Sequence, residues 1–172
     1  MKISNLIIEN YRNIEKIDIK LENITTFIGS NNSGKSNIIR AITLPFLSND
    51  VGYNGKNLSW FDINNLAKEK FYDYILKNQK AIIDDSLNQD DFAKIIPRVT
   101  VEVTLEPKDT ELYFVKDLSY EIDKSDKISY GIVYNYFPKN IKDVFARVKE
   151  ILMSQEIKKI AKVILIKKIL RQ

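Results

Sequence analysis

The chain has 172 residues, enough for a domain with a real hydrophobic core, and its 44% apolar and 29% charged residues are ordinary for a globular protein. It has no Cys and no His, which excludes disulfides, thiolate or imidazole metal sites, and Ser-His or Cys-His catalysis; a metal here would be a hard cation such as Mg²⁺ held by oxygen ligands. The net charge of +4 is uneven, because residues 139–172 carry ten Lys/Arg against three Asp/Glu while the rest of the chain is slightly acidic.

Residues 2–10 place Ile3, Leu6, Ile7 and Ile8 among polar neighbours and read as a strand. Tyr11-Arg12-Asn13 interrupts it. Ile14, Ile17, Ile19 and Leu21 then suggest a second strand, paired with the first as a hairpin. After a turn at Asn23, the apolar and β-branched run Ile24-Thr25-Thr26-Phe27-Ile28 reads as a third strand. It leads into Gly29-Ser30-Asn31-Asn32-Ser33-Gly34-Lys35-Ser36, which has the form G-x-x-x-x-G-K-S, and then into the helical stretch Asn37-Ile38-Ile39-Arg40-Ala41-Ile42.

Strand, glycine-bounded loop and helix form the context in which that motif binds phosphate. Successive backbone N–H groups make an anion nest, and the start of the helix adds its unpaired N–H groups and positive dipole end. Lys35 is expected to reach the β- and γ-phosphates and Ser36 to ligate Mg²⁺. Asn32 stands where another glycine is common, and Asn tolerates the left-handed region well. The competing reading is a glycine-bearing turn that binds nothing.

Pro45 predicts an end to the first helix by Leu44. Residues 46–60 read as loop, closed by Trp60-Phe61 as a hydrophobic anchor. From Asp62, a plausible N-cap, to about Gln89 the apolar spacing is helical. Asp84-Asp85 and Asp90-Asp91 read as solvated carboxylates. Residues 98–105 alternate strictly, and 118–122 and 128–137 read as two more strands around a hairpin turn at 123–127, together an antiparallel meander. Residues 140–172 read as helix, with a buried strand as the alternative for 163–170.

The opening third resembles the N-terminal lobe of the ABC-type ATPases of the RecF, SMC and OLD-nuclease group. The resemblance rests on the Asn10-Tyr11-Arg12-Asn13 turn, two strands, and a loop carrying Asn31 that continues Ser36-Asn37 into Ala41-Ile42. Its nearest flavour is the OLD-like ATPases of anti-phage defence. It covers residues 1–45 well and 98–137 loosely. It implies an α/β P-loop NTPase fold: an ABC-ATPase-like lobe with a mixed sheet, an antiparallel meander and a C-terminal helix. ATP and Mg²⁺ are the implied cofactors. Gly29, Ser30, Asn31, Asn32, Ser33, Gly34, Lys35, Ser36 and Asn37 are the implied nucleotide contacts. Lys35 is the catalytic group and Ser36 the metal ligand, and Tyr11, Arg12 and Asn13 lie near the adenine, ribose or phosphates.

A complete head of this group also has a signature resembling Leu-Ser-Gly-Gly and an apolar strand ending in Asp-Glu. Neither occurs here; Lys167-Lys168 follows the apolar 164–166. The chain therefore reads as a single partial ATPase domain. It divides into a P-loop core (1–45), a loop and helical insertion (46–97), antiparallel strands (98–138) and a basic helical tail (139–172). Its expected partners are ATP, a second ATPase head or completing chain, and DNA through the tail, whose simpler reading is a solvated helix face. No apolar run of membrane-spanning length and no signal-peptide architecture occur, so the expected location is the cytoplasm. The alternatives are a small nucleoside-kinase-like phosphotransferase, which lacks its Arg-rich lid here, and a non-catalytic module stabilised by nucleotide. A GTPase would need D-x-x-G, which is absent.

Overall fold

A computed structural model describes residues 1–47, 58–121 and 128–169. The chain forms two compact units, Met1–Lys68 with Pro97–Phe137, and Glu69–Ile96 with Pro138–Gln172.

The first unit is built on a five-stranded sheet of order β2-β1-β3-β5-β4. Strands β1 (Lys2–Tyr11) and β2 (Ile14–Lys20) form the predicted hairpin, joined by Arg12 and Asn13. Strand β3 (Val99–Glu106) lies on the other side of β1. Strict alternation in β3 has the expected result: Val99, Val101, Val103 and Leu105 are buried, while the intervening residues face away. Leu6, Ile8 and Ile14 join them from the hairpin. Helix α1 (Lys35–Leu47) covers this apolar face, with Ala41 fully buried against it.

Several expectations are corrected here. The 24–28 segment is no strand: Ile24 and Ile28 are 86% and 92% exposed and pair with nothing in the sheet. β-Propensity describes a side chain suited to a pleated, half-buried surface, and the described residues supply no neighbouring strand for this stretch. All pairings among the described residues are antiparallel, so the expected mixed sheet contains no parallel pair there. The meander is also reordered. Strand β5 (Ile128–Tyr136) inserts between β3 and the short β4 (Ser119–Glu121). Seven register pairs join β5 to β3, whereas β4 offers only three residues. The long strand therefore takes the interior position, and the short α5 (Leu112–Val115) lies in the β3–β4 connection. The turn at 123–127 lies outside the described residues.

Helix α1 continues through Pro45 to Leu47. Proline forfeits its own N–H bond to the preceding turn, a loss confined here to the last turn of the helix. The predicted single helical stretch from Asp62 is divided. Trp60–Asp62 is a 3-10 turn, followed by α2 (Asn65–Lys77), α3 (Gln79–Ile83) and α4 (Gln89–Ile95). Asn64, not Asp62, caps α2: its Oδ1 accepts from the Leu66 N–H at 2.9 Å. Phe61 is 88% exposed and anchors nothing; the buried anchor of this loop is Ile63.

The second unit packs α3 and α4 on α6 (Ile141–Ile169), which is helical where a strand was the alternative. Phe92 is fully buried and meets Phe145 edge to face at 5.0 Å. The acidic pairs are surface groups: Asp85 pairs with Lys149, and Asp91 with Lys94 at 2.9 Å. No described helix is long and apolar enough to cross a membrane.

Candidate functional site

The loop 29–34 turns into α1 through Gly34, whose φ is +98°, a conformation open to glycine and costly for any other residue. A Cβ at Gly34 would also stand 2.8 Å from the Asn13 side-chain nitrogen. Asn32 takes the left-handed conformation, φ +66°, as its composition suggested. The helix closes its first turn with Asn37 and Ile38 N–H groups donating to the Gly34 carbonyl at 2.9 and 3.0 Å. The N–H groups that precede them belong to the end of the helix that is electropositive by its dipole.

Lys35 folds back over this loop. Its ammonium donates to the carbonyls of Gly29 (2.6 Å) and Ser30 (2.7 Å), and to Ser33 Oγ at 3.3 Å. The cation is thereby fixed above the loop at the helix start.

Arg12, Asn13 and residues 31–37 line one cavity of about 400 Å³. Every lining residue but Gly34 has a polar side chain, with amides, hydroxyls and two cations, a donor set suited to phosphate. All the expected site residues thus converge except three. Gly29 and Ser30 contribute through the carbonyls that hold Lys35 and do not line the cavity. Tyr11 lies apart too: its ring is buried in the core beneath the Arg12 guanidinium, 5.3 Å from ring centroid to Cζ.

The turn at 10–13 brings Arg12 in from the far side. Asn10 and Arg12 both have positive φ, +57° and +52°. Arg12 Nη1 donates to Asn37 Oδ1 at 3.2 Å, and Asn37 Nδ2 donates to Asn13 Oδ1 at 2.8 Å. A chain of side-chain hydrogen bonds therefore links the hairpin turn to the first turn of α1.

Sequence reasoning missed Asp62. Its Oδ1 accepts from Arg12 Nε and pairs with Nη2, each at 2.9 Å. Burial alone would raise the Asp62 carboxyl, but the Ser59 N–H, the Arg12 guanidinium and the Ser59 hydroxyl outweigh it and hold it below the ordinary value. The spacing Ser59-x-x-Asp62 signals a capping turn, and nothing in it points to a partner fifty residues upstream.

A glycine-hinged phosphate-type loop opening a helix that packs on a β-sheet places this chain among the α/β P-loop NTPases. Residues 1–171 match the AAA ATPase domain family, and the chain belongs to it. Nucleotide binding follows at the level of the family. The chain is similar to the DNA replication and repair protein RecF of Rickettsia bellii, 31% identical over 111 residues, covering 64% of this chain and 28% of that protein. It is also similar to RecF of Rickettsia typhi, 33% identical over 97 residues, 56% of this chain and 24% of that protein. The Endonuclease GajA of Bacillus cereus is 35% identical over 69 residues, 40% of this chain and 12% of that protein. The chain therefore spans less than a third of the length of these relatives. No solved structure matches it.

Proposed function

We propose that this domain binds ATP with Mg²⁺ at residues 29–37, as the nucleotide-binding lobe of a RecF/SMC/OLD-like ATPase. Its hydrolysis requires signature and Asp-Glu elements supplied by another part of the machine or by a second head. The observation that carries the reading is the convergence of Lys35, the loop 31–37, Arg12 and Asn13 on one polar cavity. In this reading the loop N–H groups and Lys35 hold the phosphates, exchanging the Gly29 and Ser30 carbonyls for phosphate oxygens.

The residues present suit Mg²⁺. Ser36 offers a hydroxyl in the same cavity, and among the described residues no group of three or more acidic side chains stands ready to hold a metal. The ion would take Ser36 and the phosphate oxygens, and would neutralise phosphate charge when bound. The sequence contains no apolar run ending in Asp-Glu, the pair expected to hold the ion and orient a water for attack. The exposed, unpaired 24–28 segment next to the loop is consistent with a lobe that is completed elsewhere.

Calorimetry with Mg·ATP, run beside single-turnover hydrolysis, tests this. The domain is expected to bind ATP and turn it over at close to the uncatalysed rate, and Lys35→Ala to abolish binding. Normal ATP binding by Lys35→Ala would remove the site assignment, and robust turnover by these 172 residues alone would remove the need for completion.

DNA replication and repair for RecF and endonuclease for GajA support a role in DNA maintenance, and the resemblance to OLD-like ATPases extends it to anti-phage defence. The surplus of positive charge in residues 139–172 supports a DNA contact, although Arg147 and Lys149 are already paired with Glu150 and Asp85. DNA affinity through this tail should fall steeply with added salt.

A further inference from the structure

We propose that Asp62 is a positioning residue for the nucleotide site. With Asn64 it holds Arg12 in a left-handed conformation that turns the guanidinium to the loop cavity, where it meets a phosphate of the bound nucleoside triphosphate. The inference rests on the nucleotide-binding reading above and deepens it.

Arg12 is a non-glycine residue at φ +52°, a conformation that persists where surrounding contacts over-determine it. The segment 59–64 supplies those contacts to its backbone and side chain together. The Arg12 N–H donates to the Asp62 carbonyl at 2.7 Å. The Arg12 carbonyl accepts from Asn64 Nδ2 at 2.8 Å. Asn64 is itself buried, and its N–H donates to the Asn10 carbonyl at 2.9 Å, securing the other left-handed residue of the turn.

The Asp62 carboxylate then fixes the side chain. Oδ1 takes Arg12 Nε and Nη2, and Oδ2 accepts from the Ser59 N–H (3.0 Å) and hydroxyl (3.1 Å). The Asp62 side chain is 17% exposed and that of Arg12 34%, so the carboxylate is the more shielded half of the pair. Asn37 takes one further guanidinium N–H. Asp62 and Asn37 thus engage three of the five donors, and the guanidinium still borders the cavity that Arg12 lines. A carboxylate serving only to close the Ser59–Asp62 turn would need the contacts at Oδ2 alone. The contacts at Oδ1 add a function in aiming Arg12.

Titration of a fluorescent ATP analogue with Mg²⁺ into the intact chain tests the proposal. Asp62→Asn should raise Kd about tenfold, the scale of a lost charge-assisted hydrogen bond. Asp62→Glu should recover part of that loss. In an Arg12→Ala background, Asp62→Asn should change Kd by less than about twofold, because the group it aims has gone. An equal fold-loss in both backgrounds would assign Asp62 to loop folding and overturn the inference, whatever the variant's melting temperature. Unchanged or tightened binding by Asp62→Asn would overturn it as well, the latter marking Asp62 as a competitor for Arg12. Lys35→Ala separates the two levels. If it abolishes binding while Asp62→Asn does not weaken it, the Asp62 inference alone fails; if it binds normally, the underlying site reading fails first.

Discussion

Replacing Gly34 by alanine is the sharpest perturbation of the loop. Two costs can be worked out separately. At φ +98° the Cβ of an L-residue crowds the adjoining backbone, which costs about 1–2 kcal/mol. The added Cβ also meets the Asn13 amide, at 2.8 Å from Nδ2 and 3.0 Å from Oδ1. Asn13 is an exposed side chain and can swing away, but its bond from Asn37 is then lost, at about 0.5–1 kcal/mol. The total is about 1.5–3 kcal/mol, with the backbone cost the larger share. For a chain of this size that corresponds to a fall in Tm of about 3–12 °C, measured by circular dichroism. Removing the clash with Asn13→Ala in the Gly34→Ala background should restore less than half of the fall. Melting within about 1 °C of the wild type, or full restoration by Asn13→Ala, would refute the backbone argument.

Acid titration of Asp62 gives a second prediction. Its folded carboxyl lies below the ordinary value of 3.8, so the unfolded chain takes up the proton first as pH falls. The stabilisation is complete above that value and is lost as pH drops through the folded one. Urea midpoints should therefore show the advantage of wild type over Asp62→Asn shrinking from pH 6 towards pH 3. Glu111, lowered by the Lys108 N–H and the terminal amine, titrates in both proteins and cancels in the difference. An advantage that stays constant or grows in acid would contradict the ion pair. A third prediction concerns the exposed run before the loop: Ile28→Ser should alter unfolding free energy by less than about 0.5 kcal/mol. A loss of about 1.5–3 kcal/mol would show Ile28 buried and the segment packed as a strand.

The local parts of the site were legible in the sequence. Gly34, Lys35 and Ser36 are fixed by loop chemistry within a few residues, and the alternation of Val99, Val101, Val103 and Leu105 announces a half-buried strand. What failed depended on distant partners. Ile24 and Ile28 look like strand residues, but a strand exists only when another pairs with it, and periodicity carries no information on that. The insertion of β5 between β3 and β4 is a matching of strand lengths that a left-to-right reading turns into a meander. Asp62 was read as a helix cap because its true partner, Arg12, is remote in sequence, and because Asn64 performs the capping two positions later. Near Asn78, where the helical stretch divides, Asn78 Nδ2 donates to the Tyr74 carbonyl at 2.8 Å, a side-chain bond that shares that acceptor with the Asn78 backbone N–H.

The posture of Lys35 has a consequence for selectivity. Its ammonium already has two backbone carbonyls and a hydroxyl as acceptors, so any incoming group competes with the loop itself. A neutral sugar hydroxyl or a weakly charged ester offers nothing better than an amide carbonyl and gains little from the exchange. A multiply charged phosphate offers a full anionic oxygen and gains much. In the proposed nucleotide-binding reading the loop would work as an internal reference ligand, with affinity rising with the charge density of the guest because the Gly29 and Ser30 carbonyls set the threshold it must exceed.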